Sequence, residues 1–164
     1  MPGTVASQFN KRGRSGGRLL VIGFGNPLRA DDGVGWQIAD QIAKAAGNSA
    51  NVLAVHQLTP ELAEPISDAD FVVFIDACYE GEPASWTCET IRPEASPSET
   101  FSHYCTPVDL LNYTSAVFNA KPRALLISVP GCLFDYGEEL SPSVAAIVPE
   151  VVASFSDWWN ACTE

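Results

Sequence analysis

The feature that most limits the fold of this 164-residue chain is a series of short apolar runs separated by stretches with helical spacing. Phe71–Ile75 (FVVFI) is the strongest and runs directly into Asp76. Arg18–Gly23 (RLLVIG) is cut off by glycine, and Ala124–Val129 (ALLISV) is a third run of the same kind. Such runs, apolar on both parities, suit strands buried on both faces, as in a parallel sheet covered by helices. Asn51–His56 (NVLAVH) reads as another strand, and the alternating Trp86–Ile91 (WTCETI) as an edge or antiparallel one. Between them, Gly33–Ala46 places Val34, Ile38, Ile42 and Ala45 near helical spacing, with Asp31 and Asp32 as candidate caps. Pro60–Ile66 reads as a short helix with proline in its first turn, and Val108–Ala120 as a longer one. Ser141-Pro142-Ser143 opens a last amphipathic helix running to about Trp159. Tyr79–Ala84 reads as a polar turn and Arg92–Thr106 as a long polar connection. This order predicts an α/β fold: a three-layer sandwich with a mostly parallel twisted sheet of about five strands and helices on both faces.

Residues 1–17, rich in glycine and serine, are expected to be a flexible basic tail, and residues 18–164 a single domain. The first 18 residues hold four of the nine basic side chains and no acid, so all 20 acids lie beyond them. An acidic body repels phosphate, which argues against nucleic acid and anionic membranes as partners. No stretch approaches the ~20 apolar residues of a membrane helix. Leu19–Ile22 is also too short for the apolar region of a signal peptide. Five cysteines without a CxxC pair predict reduced thiols in a cytoplasmic protein, not a disulfide framework or a zinc knuckle.

The segment from Gly23 to Gly35, GFGNPLRADDGVG, joins a buried strand to a helix. It is not a dinucleotide fingerprint, because Leu28 stands where GxGxxG needs glycine. Asp31 and Asp32 would repel nucleotide phosphates and attract a cation through oxygen ligands. The plainer reading is that one or both simply cap the helix. Asp76, at the carboxyl end of its strand, lies where open α/β sheets bind ligands if the strand order reverses there; otherwise it is a turn residue. The chain has two histidines, His56 ending a strand and His103 in the long polar loop. Two aspartates and a histidine make a three-ligand set for a borderline divalent metal such as nickel or zinc, whereas a lone loop histidine is plain surface. Cys78 is either a nucleophile or a small buried apolar residue, the latter being the expected reading.

GFGNPLRADDGVG resembles the signature of the [NiFe]-hydrogenase maturation endopeptidases, close to GxGNxLxxDDGxG. Ile75-Asp76-Ala77, the FSHYCT of Phe101–Thr106, and ISVPGCLFDYGEELSPSV of Ile127–Val144 resemble further segments of that family, so the likeness spans roughly residues 18–160. The segments HQLTPELAE and FDYGEELSP are most similar to the subgroup serving bidirectional, NAD(P)-linked hydrogenases. The resemblance implies that Asp32, Asp76 and His103 are both the metal-contacting and the catalytic groups. It also implies that Gly23, Gly25, Asn26, Asp31 and Gly33 build a substrate-binding loop, with Asn26 holding the loop or donating to an oxyanion. The implied activity is one endoproteolytic cut that removes the C-terminal extension of the hydrogenase large-subunit precursor. The metal would be nickel carried by that substrate, not a resident ion, and a monomer is expected. A non-proteolytic protein that checks or delivers nickel, and a nucleotide-binding α/β domain, are the competing classes.

Overall fold

The computed structural model describes residues 17–94 and 104–163. Five strands, β1 (Leu19–Phe24), β2 (Asn51–Val55), β3 (Phe71–Cys78), β4 (Thr87–Ile91) and β5 (Arg123–Pro130), form one sheet in the order β2-β1-β3-β5-β4. The β1–β2, β1–β3 and β3–β5 pairs are parallel, and β4 joins β5 antiparallel at the edge, as its alternating sequence predicts. The helices are α1 (Val34–Ala46), α2 (Ala63–Ser67), α3 (Pro107–Phe118) and α4 (Pro142–Thr163), each within a few residues of its expected place. Among the described residues, no helix is long and apolar enough to cross a membrane. The expected tail lies outside the described residues apart from Gly17.

Strand alternation divides the buried side chains into two cores. Leu19 and Val21 of β1, Val73 and Ile75 of β3, and Leu125 and Ile127 of β5 pack with Val34, Ile38 and Ile42 of α1 and with Val151, Phe155 and Trp158 of α4. The intervening residues Leu20, Ile22, Val72 and Phe74 pack with Ile66 of α2 and with Leu110 and Leu111 of α3. The apolar runs are unbroken because both parities are needed, one for each core.

The start of α1 is pressed against the sheet. A Cβ on Gly23 would collide with the carbonyl oxygen of Gly35, and one on Gly35 would lie 2.5 Å from the carbonyl oxygen of Ile75 and 3.0 Å from the backbone nitrogen of Phe24. Backbone cannot retreat as a flexible side chain can. Gly35→Ala is therefore expected to cost about 1–3 kcal/mol, the range of overpacked cores, in urea denaturation. Wild-type stability in that variant would show that the helix can lift away at no cost.

Candidate functional site

The chain leaves β1 for β2 on one side of the sheet and returns to β3 on the other, so the strand order reverses between β1 and β3. Such a reversal opens a crevice beyond the carboxyl ends of the strands. A cleft of about 520 Å³ lies there, and both Asp32 and Asp76 line it.

Asp76 is not a turn residue. β3 continues through it to Cys78, and it stands opposite Ser128 of β5 in parallel register. Its parity is that of Val72 and Phe74, which puts it on the face covered by α3. The segment leading into α3 supplies Tyr104, Cys105 and Thr106 to the same cleft, and Pro107 at the helix start and Ser128 join them. Thr106 caps this helix in a reciprocal box with Asp109. Its hydroxyl accepts from the Asp109 N–H at 3.1 Å, and the Asp109 carboxylate accepts from the Thr106 N–H at 2.9 Å.

The two loop aspartates differ from the capping reading. Residues Ala30–Gly33 form a single 3₁₀ turn, and neither it nor α1 has a side-chain cap. Asp31 points inward and is 0% exposed. Its carboxylate accepts from the N–H groups of Cys132 (2.8 Å), Leu133 (2.9 Å) and Ser141 (2.7 Å), and from the Ser141 hydroxyl (2.8 Å). Burial works to raise its pKa, but these bonds to Ser141, Cys132 and Leu133 outweigh it and hold the pKa below the usual carboxylate value. Asp31 therefore secures the loop between β5 and α4.

Asp32 is half-buried, and one of its oxygens accepts the Asn26 N–H at 2.8 Å. Among the described residues its other oxygen has no hydrogen-bond partner. Asn26 uses its side-chain oxygen to accept the Leu28 N–H at 2.9 Å, an Asx-type turn within the loop. Gly25 has φ +137°, and a Cβ there would strike the Asp32 carbonyl oxygen, so glycine is required for the loop to close on Asp32.

Burial, and then the negative charge of Asp32, push the Asp76 carboxyl up to about 7. A carboxyl near neutrality that sits in a cleft beside a second carboxylate can exchange a proton at physiological pH or surrender it to a cation. Asp32 and Asp76 are two oxygen donors for such a cation. His103, the third predicted ligand, lies outside the described residues. Among the described residues alone, no group of three or more His, Cys, Asp or Glu is placed to hold a metal ion.

His56 also lines the cleft, exposed, with its ring edge-on to Trp36 at 5.4 Å between centroids. The Trp36 indole N–H bridges the carbonyl oxygens of Gly25 (2.9 Å) and Val55 (3.0 Å), tying the loop after β1 to the end of β2. Cys78 is half-buried, not the fully buried apolar residue expected. Its thiol donates to the Glu80 carbonyl at 3.2 Å. Burial, and then the charge of Asp76, push its pKa up, which disfavours the thiolate.

The sequence did not single out Arg29, Ser128 or Cys105 as cleft residues. Ser128 had a signal: it is the polar interruption in ALLISV. Arg29 had none, because its position depends on a contact with Phe134, 105 residues away.

No family model and no curated protein matches this chain. Solved structures do share its fold. A [NiFe] hydrogenase maturation protease, HycI from Thermococcus kodakarensis, superposes with a TM-score of 0.70 at 18% identity, over 87% of this chain and 92% of that one. The hydrogenase 2 maturation peptidase of a Thaumarchaeota archaeon gives 0.66 at 21%, over 88% and 99%. The hydrogenase maturating endopeptidase HybD from E. coli gives 0.63 at 19%, over 84% and 89%. At these identities the likeness defines the fold: this chain has the α/β architecture of those proteins.

Proposed function

We propose that this protein is an endopeptidase that removes the C-terminal extension of a nickel-loaded [NiFe]-hydrogenase large-subunit precursor. The observation that carries this reading is the meeting of Asp32 and Asp76, 44 positions apart in the sequence, in one cleft at the strand-order reversal, with the Asp76 carboxyl near 7. The loop motif and the fold shared with hydrogenase maturation proteases point the same way. The two cores support a three-layer arrangement, and HQLTPELAE and FDYGEELSP support the bidirectional, NAD(P)-linked subgroup.

In this reading nickel arrives with the substrate, held by the precursor's own ligands. Asp32, Asp76 and His103 complete its coordination and so bring the adjoining peptide bond into the cleft. Oxygen and imidazole donors suit nickel, and three protein ligands leave positions open for the substrate's groups. A bound metal would polarise the scissile carbonyl or a water. Asp76 loses its proton on binding a cation, so the charge it carries at some cost in the free protein is compensated only when the loaded precursor is present. The protein would act as a monomer in the cytoplasm.

Incubating the purified protein with nickel-loaded and nickel-free precursor, followed by intact mass, tests this. Loss of the extension from the loaded form alone is expected. Nickel binding with an unchanged precursor mass would replace the reading with a nickel-checking or nickel-delivery protein. Cys78→Ser is expected to cut at the wild-type rate, since the thiol is held protonated; complete loss in a folded variant would make the thiol the nucleophile.

A further inference from the structure

We propose that Arg29 is a specificity-determining residue that binds a carboxylate of the peptide substrate. The inference rests on the endopeptidase reading above and adds a substrate feature to it. Arg29 is exposed and lines the cleft that holds Asp32 and Asp76. Its stem is fixed. Nε donates to the Phe134 carbonyl at 3.2 Å, its backbone N–H donates to the Asn26 carbonyl at 3.1 Å, and its own carbonyl accepts from the Asp32 N–H at 3.1 Å. A parallel bridge to Gly137 holds the same residue to the loop that Asp31 secures.

With Nε occupied, the two terminal nitrogens remain, and they have no hydrogen-bond partner among the described residues. Nor does any acid pair with Arg29 among the described residues, although acids outnumber bases 20 to 9 in this chain. Arg18 and Lys44, by contrast, are paired with Asp70 and Asp40. Asp32, three residues on, directs a carboxylate oxygen at the Asn26 N–H instead. A held guanidinium with free donors offers a planar fork that fits a carboxylate in two parallel hydrogen bonds. The Tyr79 ring packs tilted against that of Phe134, whose carbonyl Arg29 engages, at 4.4 Å between centroids.

The cleft thus carries opposite signs at different points. Asp32 and Asp76 repel a carboxylate and Arg29 accepts one, so a peptide with a cationic or metal-bearing part and a carboxylate can enter in one direction only. The carboxylate has two sources, the free C-terminus of the extension or an acidic side chain near the cut bond.

Steady-state cleavage of nickel-loaded precursor by the wild type, Arg29→Gln and Arg29→Lys tests the proposal. Because this contact forms in ground state and transition state alike, Arg29→Gln is expected to raise KM about 10-fold with kcat nearly unchanged, and Arg29→Lys to fall between. Two further precursors separate the sources, one with a carboxamide C-terminus and one with the acids flanking the cut changed to amides. The one that raises KM for the wild type, but not for Arg29→Gln, identifies the carboxylate. An unchanged KM in Arg29→Gln, a loss confined to kcat, or wild-type KM for both neutralised precursors would overturn the proposal. Wild-type KM for both neutralised precursors is read on the wild-type protein alone, so it overturns the proposal even where a variant folds poorly. Failure of the wild type to cut any loaded precursor would overturn the endopeptidase reading and this proposal with it.

Discussion

Asp76→Asn is expected to make the protein more stable at pH 8 while abolishing precursor cleavage. The folded-state pKa of Asp76 is raised from 3.8 to about 7, first by burial and then by the charge of Asp32. Between those values the unfolded chain has lost the proton and the folded chain still binds it. Folding stability therefore falls as pH rises through this window, the opposite of the usual carboxylate. At 1.36 kcal/mol per pH unit, the ionised form costs the folded state on the order of 4 kcal/mol above pH 7. Asparagine has nearly the shape of the protonated acid and cannot ionise. Urea denaturation from pH 4 to pH 8 is expected to show variant and wild type closest at pH 4 and separating until about pH 7. A constant difference across that range would mean that Asp76 carries no destabilising charge. A stabilised variant that still cuts would separate the charge from the chemistry and remove Asp76 from the proposed nickel ligands. A gain in stability with a loss of activity is the pattern of a group placed for function.

Asp31→Ala is expected to act in the reverse direction, lowering stability by about 2–4 kcal/mol, the cost of removing a buried carboxylate that accepts four hydrogen bonds. Four donors from Cys132, Leu133 and Ser141 would lose their acceptor at a fully buried position. Ala30 beside it sits at φ +48°, a left-handed conformation that a non-glycine residue adopts only when its surroundings enforce it. Here the Ala30 N–H donates to Gly137 and the Asp31 N–H to Leu133, which ties the strained turn to the same loop. Because the Asp31 pKa is depressed in the folded protein, its contribution is complete above 3.8 and is lost as pH falls through the folded value. Urea denaturation measures the loss, and limited proteolysis within residues 131–141 is expected to accelerate. Wild-type stability in Asp31→Ala would mean that the loop between β5 and α4 holds itself.

The two aspartates are adjacent in the sequence and alike in chemistry, and they mark the limit of what residue type alone reveals. The doublet pointed to a helix start near a cation, but not to which carboxylate belonged to the fold. That division depends on the 131–141 loop returning over the 3₁₀ turn to offer Asp31 its donors, a contact across about a hundred residues. Arg29 was invisible for the same reason.

Some features followed directly from local order. Apolar runs such as FVVFI and RLLVIG dictate doubly covered parallel strands, because no half-exposed strand tolerates hydrophobic side chains on both parities. The alternation in WTCETI dictates an edge, and the glycines around GFGN dictate a tight passage from strand to helix. Asp76 was legible as a candidate because a charge at the end of such a run has to emerge somewhere. Tertiary structure alone decided that it emerges beside Asp32. Strand order, which no local pattern encodes, places β3 next to β1 on the side opposite β2. That reversal opens the cleft and sets two carboxylates close enough for the charge of one to raise the pKa of the other.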